Sequence, residues 1–128
     1  MAGLCATTGT RHAEGALRIA NQVQTCLVLP KSSDLKGTMC QAISTIAEMA
    51  PQNATEALLA AQMLATHEAA LLFLKRTTLD DQNLEVMKTH ALWATRLMRV
   101  FNEQLATMQK LKGKAGQQKV TVEHVHVY

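Results

Sequence analysis

The chain has 128 residues, of which 48% are hydrophobic and only 3% aromatic, and it carries a net charge of +3. At this length the expectation is one domain with its own core, and a core of Ala, Leu and Met argues against a sandwich or barrel, where β-branched and aromatic residues prevail. A charge this mild permits a nucleic-acid partner without requiring one.

In chain order, residues 1–9 are small and polar with two glycines, and a disordered start is expected. Ala13, Ala16, Leu17, Ala20, Val23 and Leu27 recur at helical spacing and predict a first helix over about 10–29, stopped by Pro30. A second helix is expected over about 33–49, with Ser33 as N-cap and a stripe of Leu35, Met39, Ala42, Ile43 and Ile46, closed by Pro51. Asn53 followed by Glu56 has capping-box spacing and opens a third helix, expected to run to Arg76. It is apolar on nearly every side, as suits the central helix of a bundle.

The fourth helix is predicted over about 80–112, with Gly113 as its stop. Leu84, Met87, Ala91, Ala94, Met98, Phe101, Leu105 and Met108 step by three and four, a heptad seam. At 1.5 Å per residue this helix spans roughly 50 Å and the third only about 36 Å. Joined by a short turn, the two are expected to form an antiparallel hairpin. The overhanging seam then calls for cover from another subunit through Met98, Phe101, Leu105 and Met108.

After a 113–118 linker, residues 119–128 alternate in a β pattern: Val120, Val122, His124, His126 and Tyr128 on one face, with Val125 and Val127 on the other. No second strand of this quality exists in the sequence, so its backbone groups require pairing from another copy. The fold class expected is therefore mainly α: a helical bundle on a long antiparallel hairpin (10–112), plus a C-terminal strand (119–128) paired between subunits. Val120, Val122, Val125 and Val127 join the expected oligomer interface.

The cysteines Cys5, Cys26 and Cys40 show no CxxC spacing and suit a reducing compartment. The N-terminus lacks a secretory pattern. Gln62, Thr66, His67 and Glu68 interrupt the most apolar stretch and speak against a membrane span. A cytoplasmic location is expected.

Two segments carry a resemblance. Ala57-Leu-Leu-Ala-Ala-Gln-Met-Leu-Ala-Thr-His-Glu-Ala-Ala70 is one, and Gly116-Gln-Gln-Lys-Val-Thr-Val-Glu-His-Val-His-Val127, preceded by Ala94-Thr-Arg-Leu-Met-Arg99, is the other. Over roughly residues 51–127 the chain resembles a family of small bacterial proteins from prophage-like and mobile genetic regions. The resemblance implies a phage or mobile-element setting and brings no activity with it.

Several motifs bear on chemistry. His124 and His126 point the same way on a strand, so together they offer two metal ligands, with any others coming from a second copy. The bland alternative is a solvated or cross-strand face. His67-Glu68 does not extend to a zinc-protease helix, because Leu71 stands where the second histidine is required. His67 and His90 lie about equally far from the expected turn and are candidates to face each other. No nucleophilic triad or phosphate loop is present in the sequence, and neither an enzyme nor a cofactor is expected. Lys110, Lys112, Lys114 and Lys119 cluster near the end of the fourth helix. They suit the helix dipole, and repeated around a ring they would grip a phosphate backbone.

The function expected is a non-enzymatic homo-oligomeric assembly protein of phage or mobile-element origin. Its partners would be further copies of itself, double-stranded DNA and a phage packaging protein, as for small terminase subunits, and no membrane. The alternative is a metal-binding or regulatory module using His124 and His126.

Overall fold

The computed structural model describes residues 2–26 and 34–127, with side chains in the last stretch as far as Gly113. The architecture is mainly α-helical: α1 (Ala2–Thr8), α2 (Ala13–Cys26), α3 (Leu35–Glu48), α4 (Ala54–Arg76) and α5 (Leu84–Val127).

The first residues depart from expectation. Residues 2–8 form α1, which packs against α2 and α3. The Thr8 hydroxyl donates to the Leu4 carbonyl (2.9 Å) and pairs with Thr10 (2.9 Å), so Thr8 is buried with its polar atom satisfied. Gly9 ends the helix at φ +65°, and a Cβ there would lie 2.3 Å from the Pro51 carbonyl oxygen. Only glycine fits this contact.

The start of α3 shifts by one residue from the sequence reading. Asp34 is the N-cap, its side chain accepting from the Lys36 amide at 3.1 Å. Ser33 and Pro30 lie outside the described residues. Past α3, Ala50 takes φ 49°, the left-handed conformation that follows many helix ends. The Asn53 side chain accepts from the Glu56 amide at 2.9 Å, while Glu56 Oε2 accepts from the Gln52 amide at 2.7 Å. This is a capping box whose return bond reaches one residue further back than usual.

The core lies where α2, α3 and α4 meet the far end of α5. Ile19, Val23, Ala42, Ile46, Ala57, Ala60, Met63, Leu64 and Met108 form it. Ala57 and Ala60 are fully buried; their small side chains let α4 sit close to its neighbours. By length and composition α4 is also apolar enough to cross a membrane. In the fold it packs against α2, α3 and, most extensively, α5.

The link from α4 to α5 is longer than expected. Asp81 turns at φ 60°, and the Gln82 side chain donates to the Arg76 and Leu79 carbonyls. Asn83 caps α5 by accepting from the Glu85 amide at 2.9 Å.

One correction concerns the end of the chain. Gly113 does not stop α5 but lies within it; one glycine costs a helix only about 1 kcal/mol. In this single-chain structure the backbone from 119 to Val127 continues α5, and the expected pairing of a C-terminal strand between copies is not confirmed. In a single chain with no second strand, a helix is the path that satisfies each N–H and C=O internally.

Candidate functional site

Among the described residues the most extensive helix contact is between α4 and α5; Lys112 meets Glu56 and His90 meets Phe73, so the two run in opposite directions. Thr66 Oγ1 accepts from Gln104 Nε2 at 3.2 Å, the His67 and Phe101 rings lie 5.8 Å apart, and those of Phe73 and His90 lie 6.0 Å apart. This register corrects one expectation. His67 is level with Phe101 and His90 with Phe73, so the two histidines do not face each other. The seven-residue turn shifts α5 along its partner, and a count from a shorter turn put the histidines at one level. His67 is exposed, and among the described residues no group of three His, Cys, Asp or Glu side chains could hold a metal.

The face of α5 against α4 is built from two columns at seven-residue spacing. Met87, Ala94, Phe101 and Met108 form one; His90, Leu97, Gln104 and Leu111 form the other. All eight are buried or half-buried. His90 Nδ1 and Gln104 Oε1 are enclosed there without a hydrogen-bond partner among the described residues, so the contact carries a polar cost.

The predicted seam thus divides. Met108 belongs to the chain's own core and Phe101 packs against it; these two serve the single chain, because they point at α4. Met98 and Leu105 are 38% and 39% exposed, and Leu84 is 59% exposed. With Ala91 they form an outward column on one edge of the helix. The sequence reading missed a second outward column, Val86, Trp93 and Val100, which are 46%, 45% and 41% exposed. Its seven-residue spacing was legible, but a single seam was followed. The Arg96 guanidinium lies over the Trp93 ring at 5.1 Å and shields part of it.

The two outward columns are offset by two residues, roughly 150–160° around the axis, with the α4-facing columns between them. Leu71, Leu74 and Leu79 add to the exposed apolar surface. Ten of the twelve exposed large hydrophobic side chains among the described residues fall between Leu71 and Leu105. That is the part of the α4–α5 pair beyond the reach of the α2–α3 core. Groups of exposed large apolar side chains mark interaction surfaces.

Of the predicted basic cluster, Lys110 is exposed. Lys112 is engaged: its ammonium donates to the Ala50 carbonyl at 2.8 Å and lies 3.4 Å from Glu56 Oε2. Lys112 is thus bonded within the chain, with its side chain partly exposed. The side chains of Lys114, Lys119, Val120, Val122, His124, Val125, His126 and Val127 lie outside those described. A cleft of about 280 Å³ between α2 and α4 is lined by Gln22, Val23, Cys26, Leu58, Ala61, Gln62 and Ala65. Its lining includes no acid–base pair and no anion-binding set. Comparison of the chain with family models, with curated proteins and with solved structures returns no match.

Proposed function

We propose that the chain is the subunit of a non-enzymatic homo-oligomer of phage or mobile-element origin. The α4–α5 pair is its long antiparallel hairpin, and the exposed apolar edges of that hairpin are its contacts. The observation that carries this reading is the concentration of exposed large hydrophobic residues between Leu71 and Leu105.

In the assembled state, residues 119–128 pair as strands between copies. Their valines are poor helix formers and good strand formers, and assembly supplies the partner that a single chain lacks. Repeated Lys110, Lys114 and Lys119 would then contact duplex DNA through phosphates, as in a packaging component.

Light scattering at micromolar concentration tests the assembly, and a mass near that of one chain would end the proposal. Deleting 117–128 should lower the oligomeric order and remove a β-sheet amide band from the infrared spectrum of the intact protein. If that band is missing from the intact assembly, the strand part of the proposal fails.

A further inference from the structure

Resting on the assembly reading, we propose that the subunits join head to tail: the Ala91 edge of one hairpin packs on the Trp93 edge of the next copy, so that each subunit uses two different surfaces.

Both edges of α5 are apolar, and they differ in shape. Ala91 is smaller than the Leu84 and Met98 that flank it in its column, whereas Trp93 is larger than Val86 and Val100 in the other. A large ring packed against a small residue fills space, whereas a two-fold pairing centred on either residue sets alanine against alanine or tryptophan against tryptophan. A two-fold dimer through either edge also leaves the opposite apolar column in water.

The Ala91 edge is also continuous with a contact already formed. Ala57, Ala60 and Leu64 of α4 are buried in the core with α2 and α3, and about two to three turns further on Leu71 and Leu74 carry that flank of α4 out to solvent. A second copy would extend there the packing that α2 and α3 begin. Two unlike surfaces repeated from copy to copy close into a ring when the rotation permits and otherwise give a filament.

The test is site-directed cross-linking of the full-length chain. Cys5, Cys26 and Cys40 are changed to Ser, one version carries Met98→Cys, another carries Val100→Cys, and a third carries both. A short bismaleimide is the cross-linker. Head-to-tail packing predicts no covalent dimer from either single version alone, a covalent dimer from their 1:1 mixture, and a ladder reaching the full oligomer from the double version. A single version that dimerises by itself overturns the proposal in favour of two-fold pairing. If none of the samples cross-links although the oligomer persists in light scattering, the edges do not meet and the proposal is likewise overturned. A monomeric parent protein, by contrast, would sink the assembly reading itself.

Discussion

Lys112, about eight turns into α5 at 3.6 residues per turn, places its ammonium 3.4 Å from Glu56 in the first turn of α4 and 2.8 Å from the carbonyl of Ala50. The Glu56 side chain is only 8% exposed, and its Oε2 accepts from the Gln52 amide at 2.7 Å beside this cation. Lys112→Met should destabilise the chain by about 1–3 kcal/mol, since it leaves a largely buried carboxylate without its cation. Urea denaturation at a protein concentration below assembly measures this. A loss within experimental error would mean that the ion pair is dispensable.

Ala50 sits in the left-handed region with a β-carbon, at φ 49°. Ala50→Gly removes that steric cost, although it loosens the unfolded chain. The expected outcome is a gain of about 0.5–1 kcal/mol, read from the same urea midpoints, with Lys112 still bonded to the carbonyl at this position.

Met108 and Met98 belong to the same predicted seam but to different columns of α5: Met108 is buried against α4 and Met98 lies on the exposed edge beside it. Met108→Ala should cost about 2–5 kcal/mol of single-chain stability, as for other buried methionines. Met98→Ala should cost the single chain under about 1 kcal/mol and lower the oligomer mass at a fixed concentration. Equal effects on single-chain stability would contradict the division of the seam described above.

Lys110 and Lys112 provide an internal comparison for nucleic acid. If the assembly binds duplex DNA through free lysines, Lys110→Gln should lessen the slope of log affinity against log salt by about one unit per chain engaged. A partial loss of fold stability aside, Lys112→Gln should leave that slope unchanged. Fluorescence anisotropy across a salt series distinguishes them, and no binding at about 50 mM salt removes DNA as a partner.

Much of the helical order was legible in local signals. Asn53 and Glu56 announce the start of α4 because a cap and its return bond are fixed by short-range geometry. The stripe through Ala42 and Ile46 marks the core face of α3 for the same reason. Three features escaped. The N-terminal residues look featureless because α1 is held by a close approach between Gly9 and Pro51, 42 positions apart in the sequence, which no local pattern encodes. The level of His67 against His90 depended on the length of one turn, and Gln82 and Asn83 lengthened it through side-chain bonds to the backbone. The role of Lys112 was hidden because a lysine near a helix end reads as a dipole partner, while its actual partner lies 56 positions away. The split of the candidate interface into two edges was present as two heptad columns, yet only burial against α4 reveals which columns remain free.

The corner at 50–53 also has a consequence in time. It receives the end of α1 through Gly9, opens α4, and is tied to α5 by a bond spanning 62 positions. A ribosome adding about 5–20 residues per second needs roughly 3–12 s to travel from Ala50 to Lys112. Throughout that interval the nascent chain holds Glu56 without its cation and Ala50 in its awkward turn. The last link in the corner is made only once Lys112 has been added, so a chain that stalls or is truncated before Lys112 leaves this junction open.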